Sequence, residues 1–272
     1  MKAYINPDSP HFFAFNIWDI ASAKSIMDAA QIKQKPIILQ TSMKAFSLMD
    51  LEAMRFFVTT YAKKKAIPVY LHLDHCKKIE MIQEAITAGW DSVMIDASDK
   101  LLDENIELTS YVTELAHGKN VLVESEVGQV SGVEDDITVS GAGVARVEDI
   151  QSFLKNTNVD MLAVAIGTAH GQYTGIPSLH YDLLQQTGEM TKVPLVIHGG
   201  TGLSDDILRR LFSYHNVKKI NISTDVKQAY RLGIENCYKE QEIKEKGFDP
   251  LKVTGRIHDS ICKMAMEKLS LL

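Results

Sequence analysis

The chain has 272 residues, of which 45% are apolar and 24% charged, with a net charge of −6. Those proportions describe a globular protein with a full core, and scattered basic residues under a negative net charge exclude an electrostatic case for nucleic acid. No run has the length and apolarity of a membrane span, residues 1–7 lack the apolar core of a signal peptide, and three widely spaced cysteines argue against a disulfide framework, so a reducing cytoplasm is the expected location.

In chain order, short apolar runs predict strands at 12–17, 36–41, 69–74, 92–97, 121–127, 161–166, 194–198 and 217–223. Amphipathic patterns between them predict helices at 21–31, 51–64, 78–88, 104–117, 147–155 and 205–212. Residues 225–246 read as one long helix, 247–250 as a break, and 256–269 as a final helix. Strand–helix alternation argues for a parallel sheet with helical crossovers. Eight such units without a linker predict one domain, 1–272, folded as an α/β (β/α)8 barrel with extra C-terminal helices. A doubly wound open sheet is the alternative, disfavoured because the notable polar residues come from many strands rather than one switch point. The connection at 128–145, rich in glycine and acidic residues, is too long for an ordinary strand–helix loop and predicts a lid or substrate-binding loop, with plain disorder as the bland reading.

Barrel chemistry gathers at the C-terminal ends of strands. That rule collects Asn16, Ser42, Asp74, His75, Asp96, Glu126, His170, His198, Asn221 and Thr224 at one mouth. One histidine at a strand end is usually a hydrogen-bonded structural residue. Three of them, two followed by glycine in Ala169-His170-Gly171 and His198-Gly199-Gly200, can converge on a metal and leave a coordination position open. Asp74, beside His75, is then the candidate acid/base. Cys76 reads as a small residue at a helix start rather than a fourth ligand, because a closed four-ligand site ends catalysis. His72 shares strand parity with Asp74 and should point inward as a hydrogen-bonding residue. The turn 199–204, with Ser204 as helix cap, and Asn221-Ile222-Ser223-Thr224 offer amides and hydroxyls to an anion; ordinary turn chemistry is the alternative.

At these points the sequence resembles the class II, zinc-dependent ketose-bisphosphate aldolases. The matching segments are Phe15-Asn16-Ile17, His72-Leu73-Asp74-His75, Ser92 to Asp96, Val123-Glu124-Ser125-Glu126-Val127-Gly128, Glu134-Asp135-Asp136, Ala165 to Gly171, His198-Gly199-Gly200-Thr201-Gly202-Leu203 and Ile220 to Thr224. The resemblance implies Zn2+ on His75, His170 and His198, with Asp96 and Glu126 as alternative or supporting ligands. It implies Asp74 and Glu134 as proton carriers, and Asn16, Ser42, Gly171, Gly199, Thr201, Asn221, Ser223 and Thr224 as the substrate and phosphate pocket. The implied reaction is reversible cleavage of a fructose- or tagatose-type 1,6-bisphosphate to dihydroxyacetone phosphate and an aldehyde through an enediolate. A monovalent cation (Na+ or K+) and a homodimer or homotetramer are family expectations. The partner is a small phosphorylated sugar, with no nucleic acid and no membrane.

Three departures stand out: a short N-terminus, Trp18-Asp19 in place of an Asn-containing pair, and Leu251 where many bisphosphate members carry an arginine after Asp-Pro. Leucine supplies no charge-assisted hydrogen bond to a distal phosphate; either Lys252 or Arg256 substitutes through a displaced C-terminal segment, or a ketose 1-phosphate is the alternative substrate. Rival chemistries lack their residues: the sixth strand ends without a Schiff-base lysine, and the first has no His-x-His pair. A non-catalytic sugar-phosphate sensor predicts loss of Asp74 or a ligand, and all are present.

Overall fold

The computed structural model describes residues 4–134, 137–139, 143–173, 175–239 and 249–272, with the side chains of 133–139 left undescribed. In chain order the elements are β1 (Phe12–Asn16), α1 (Ile20–Lys33), β2 (Ile37–Ser42), α2 (Met43–Leu48), α3 (Leu51–Lys65), β3 (Val69–Cys76), α4 (Ile79–Thr87), β4 (Ser92–Ile95), α5 (Leu102–His117) and β5 (Leu122–Val127). They continue with β6 (Ser131–Glu134), β7 (Ile137–Val139), α6 (Val147–Asn156), β8 (Met161–Val164), β9 (Ala169–His170), α7 (Tyr181–Met190), β10 (Leu195–Ile197), α8 (Asp205–Phe212), β11 (Val217–Ile222), α9 (Thr224–Lys239) and α10 (Pro250–Leu269). Among the described residues, eight strands close into a parallel barrel in the order β1-β11-β10-β8-β5-β4-β3-β2. The (β/α)8 expectation holds.

The period of two along each strand sorts side chains into two environments. Outward-facing Phe13, Phe15, Leu39, Leu71, Leu73, Val93 and Ile95 pack beneath the helices in the main core. Inward-facing Phe12, Ala14, Ile38, Met161, Ala163 and Val196, with Ile5, Tyr4 and Tyr70, plug the bottom of the barrel. Each fully buried Phe, Leu or Ile contributes roughly 1.5–3 kcal/mol. The outer layer thus carries the stability, and the upper interior is released for polar groups. Gln40, His72, Asp74, Glu124, Glu126, His198, Lys219 and Asn221 lie there, all buried.

Several helix starts follow from local chemistry. Asp19 caps α1 in a reciprocal box with Ser22, and Asp50 caps α3 by accepting from Ala53 N. Ser204 caps α8 through Ile207 N, as its position predicts. The final helix begins at Pro250 rather than 256: Asp249 accepts from Leu251 N, and proline at the first turn has no N–H to satisfy. The predicted break is therefore a start signal. The helix expected over 225–246 is described from Thr224 to Lys239, and its remainder lies outside the described residues.

Two further corrections bear on the mouth. The connection at 128–145 is not featureless: β6 and β7 pair antiparallel within it, and β6 pairs in parallel with β9 to form a second, three-stranded sheet. The sixth barrel strand ends at Val164, not 166, so His170 sits on this smaller sheet rather than on a barrel strand. Cys76 closes β3 instead of opening a helix. It is buried, and its thiol reaches Lys78 O at 3.4 Å.

Candidate active site

Consecutive residues of a regular strand face opposite ways, yet Asp74 and His75 both serve the mouth. A bulge makes this possible. Leu73 pairs with Val93 and Cys76 with Ile95, so β3 spends three steps against two of β4. His75 takes the extra step with φ +47, a left-handed conformation that costs a non-glycine residue of order 1–3 kcal/mol. That turn leaves Asp74 inside the barrel and swings the imidazole over the rim.

His170 arrives by another route. Ser131 pairs with Ala169 and Gly132 with His170, so the short strand carrying this histidine is braced by β6. Gly132, at φ +110, lies so close that a Cβ there would collide with His170 O. His198 follows the end of β10 and is fully buried. The three rings converge: centroids are 4.5 Å apart for His75–His198, 4.9 Å for His75–His170 and 5.9 Å for His170–His198. One ring nitrogen from each lies within 4.8 Å of the other two.

The hydrogen bonds behind the rings decide which nitrogen faces the centre. His75 Nδ1 meets Asp96 Oδ2 at 2.8 Å, and His198 Nε2 meets Glu124 Oε1 at 2.8 Å. An ionised carboxylate only accepts, so those nitrogens carry the hydrogens. The remaining pair, His75 Nε2 and His198 Nδ1, is left 2.7 Å apart. Two lone pairs at that distance need a shared proton between them, or must part by roughly half an ångström to take a tetrahedral metal ion at Zn–N distances of about 2.0–2.1 Å. The donor set therefore fits a divalent metal that favours imidazole nitrogen.

Surrounding charges support the same reading. Burial alone would raise the Asp96 carboxyl, but the hydrogen bond and charge of His75, then Ser98, hold it well below the usual range. Burial, then His75 and Lys219, push His198 far below an ordinary imidazole, keeping it neutral and able to donate a lone pair. Glu126 is pushed up to about 8 by burial and by the charge of Asp96. Its Oε1 accepts from Val130 N, while buried Oε2 has no hydrogen-bond partner among the described residues and lies 3.8 Å from His198 Nδ1.

Asp74 sits beside this centre in a separate network. Gln40 Nε2 donates to Oδ2 at 2.8 Å and Asn221 Nδ2 to Oδ1 at 3.3 Å, while Gln40 Nε2 also donates to Asn16 Oδ1 at 2.7 Å. Both carboxylate oxygens are held from two sides in a water-poor interior. His72, inward as expected, contacts Ser92 Oγ through Nδ1 at 2.8 Å.

Six of the predicted substrate residues meet: His170 with Gly171, Gly199, Thr201, Asn221, Ser223 and Thr224 lines one small cavity of about 10 Å³. Asn221 Oδ1 and Ser223 Oγ are buried without partners among the described residues, and Thr224 opens α9, whose N-terminus favours an anion. Asn16 lies one bond removed, behind Gln40. Ser42 is the cap of α2, its Oγ accepting from Ala45 N. Glu134 ends β6, and its side chain lies outside what is described. Histidines outside the pattern have structural partners: His258 reaches Asp28, His117 reaches Asp160, and His11 stacks on Phe212.

Sequence reasoning missed Gln40, Glu124 and Lys219. All three share the inward parity of His72 and Asp74 on strands predicted to be buried on both faces, and that parity was the available signal.

The chain matches the family model described as class II fructose-bisphosphate aldolase over residues 10–272. It is similar to fructose-bisphosphate aldolase from Geobacillus stearothermophilus, 34% identical over 94% of this chain and 88% of the relative. It is also similar to 6-phospho-5-dehydro-2-deoxy-D-gluconate aldolase from Bacillus subtilis (strain 168), 38% identical over 83% of this chain and 78% of that protein. Among solved structures, the YdjI aldolase from Escherichia coli K12 superposes with a TM-score of 0.81 at 26% identity, covering 96% of this chain and 91% of that one.

Proposed function

The chain belongs to the class II fructose-bisphosphate aldolase family and is an aldolase, and we propose that it cleaves a ketose 1-phosphate reversibly to dihydroxyacetone phosphate and an aldehyde at a zinc centre on His75, His170 and His198. One observation carries the reading: the paired inner nitrogens of His75 and His198 stand beside a His170-lined cavity furnished for an anion. When bound, the metal supplies Lewis acidity, polarising the substrate carbonyl and stabilising the charge that develops there.

The chain's own groups account for the remaining steps. Thr201, Ser223 and the amides at Gly171 and Gly199 bind the phosphate at the head of α9, and the unpartnered Asn221 Oδ1 accepts from a substrate hydroxyl. Asp74, held by Gln40 and Asn221, takes the proton of the C4 hydroxyl as the carbon–carbon bond breaks and returns it in the condensation direction. Glu134 is assigned the C–H proton of the donor half. Its strand is tethered through β9 to His170, two residues from the Gly132–His170 pair. Glu126, raised in basicity and with Oε2 3.8 Å from His198 Nδ1, would serve as an alternative ligand to the metal.

The distal end of the substrate sets the choice of ketose. Leu251 is 77% exposed in the first turn of α10, its N–H taken by Asp249 Oδ1. It offers a distal phosphate no charge-assisted bond, each worth about 1.5–3 kcal/mol. A panel of ketose 1-phosphates and 1,6-bisphosphates, assayed before and after chelation and with zinc restored, tests both halves. Activity should vanish with chelator, return with Zn2+ and favour 1-phosphates. Cleavage of fructose or tagatose 1,6-bisphosphate far faster than any 1-phosphate refutes the substrate, and chelator resistance refutes the metal.

A further inference from the structure

Beneath the mouth, the barrel interior holds an ion pair that no step above uses. Lys219 of β11 and Glu124 of β5 are both fully buried, with Nζ and Oε2 2.7 Å apart. The other carboxylate oxygen, Oε1, accepts from His198 Nε2 at 2.8 Å. His72 Nε2 stands 3.5 Å from Oε2. Asp74 Oδ1 lies 3.9 Å from the same His72 Nε2, and His72, Asp74 and Glu124 stand close enough together to resemble a second metal site. Lys219 argues against that: its ammonium already occupies the cation's place on Glu124 Oε2.

A buried ion pair is weak support for a fold, because apolar residues of similar volume are often at least as stabilising. Its position suggests another role. A carboxylate obliges His198 to keep its hydrogen on Nε2, which leaves Nδ1 as the lone pair facing His75 Nε2. Lys219 holds the carboxylate in place and balances its charge in an interior that water does not reach. We propose that Glu124 and Lys219 are positioning residues of the metal centre, an internal pair that fixes the tautomer and ring orientation of His198 from one layer below. The inference rests on the reading of His75, His170 and His198 as metal ligands.

The test compares metal-free unfolding with metal affinity in variants that leave no buried charge unpaired. E124M/K219M replaces the pair by apolar side chains of similar length. E124Q/K219M keeps an amide oxygen able to accept from His198 Nε2. Zn2+ affinity is read by competition with a chromophoric chelator, and ligand geometry by the visible spectrum of the Co2+-loaded protein. E124M/K219M should unfold near the wild-type temperature yet bind Zn2+ about 10–100-fold more weakly, as loss of an outer hydrogen bond to a ligating histidine does, with an altered Co2+ spectrum. E124Q/K219M should lie between, about 3–10-fold down. Wild-type affinity and an unchanged spectrum in E124M/K219M overturn the inference. Should that variant fail to fold, wild-type affinity in E124Q/K219M does the same. Failure of the wild-type protein itself to bind Zn2+ or Co2+ refutes the underlying metal site instead.

Discussion

Replacing Asp74 by asparagine keeps the shape and removes the charge, and the surrounding bonds dictate the outcome. Asp74 Oδ2 faces Gln40 Nε2 at 2.8 Å and Oδ1 faces Asn221 Nδ2 at 3.3 Å. Asparagine has one acceptor: with its oxygen toward Gln40, its NH2 group confronts Asn221 Nδ2, and turning the Asn221 amide to offer the unpartnered Oδ1 only moves the unsatisfied donor onto Asn221. Rotating Gln40 gives no relief, because the same Nε2 holds Asn16 Oδ1 at 2.7 Å. A buried donor left unsatisfied costs about 1–3 kcal/mol, and the metal-free variant should unfold at correspondingly lower denaturant. Loss of the proton carrier should reduce kcat about 10²–10⁴-fold, equivalent to roughly 3–5 kcal/mol in the barrier. The assay couples released dihydroxyacetone phosphate to its reduction and measures bound zinc on the same samples. Full zinc occupancy with kcat within tenfold of wild type would refute Asp74 as the proton carrier. Zinc lost in step with activity would show that Asp74 belongs to the ligand set.

Gly199→Ala tests the close packing behind His170. At φ +71 the new side chain brings about 1–2 kcal/mol of left-handed strain, and its Cβ would collide with Ala169 O and stand 2.8 Å from Ala169 C. Relief requires β9 to shift and His170 with it, so zinc affinity by chelator competition should fall tenfold or more; unchanged affinity would mean that β9 yields without moving the ligand. Glu126 predicts a pH dependence in the metal-free protein. Its folded-state value of about 8 exceeds the unfolded value near 4.5, so the native state binds the extra proton between those limits. Stability is present below pH 4.5 and lost as pH rises toward 8, with a slope from this group of about 1.4 kcal/mol per pH unit. Denaturant titrations from pH 5 to 8 should show Glu126→Gln flattening that decline, and parallel curves for the two proteins would remove Glu126 as its source.

The eight barrel strands were legible because their apolar runs are bounded by turn residues, and α8 was legible to the residue because Ser204 marks its start. The three converging histidines stood out because each follows a predicted apolar strand, although His170 sits on the small sheet and not at a barrel strand end. The small sheet was not legible: Ser131–Glu134 and Ile137–Val139 are short runs inside a connection rich in glycine and acidic residues, and the pairing of β6 with Ala169–His170 spans more than 30 residues of chain. Glu124 and Lys219 were hidden for a different reason. Charged residues inside a strand normally signal a solvated face, and Lys218-Lys219 reads that way until the strand is placed in a barrel whose interior is itself polar. The bulge at His75 leaves no mark in local propensity. It follows from the register against β4, a property of two strands rather than one.

His170 differs from the other two imidazoles in being carried by a strand outside the barrel. Its partner strand, β6, is the one that ends at Glu134. On the proposed reading, ligand and proton carrier are two points on one small sheet, and linkage would make their energetics reciprocal. Binding free energy that a metal placed on His170 would also oppose separation of β6 from β9, and a change that loosened that pairing would weaken the hold on the ion. Loading the centre and bracing the strand that carries Glu134 would then be coupled. On that reading, the Lewis acid and the second proton carrier would be tied to each other across one pair of short strands.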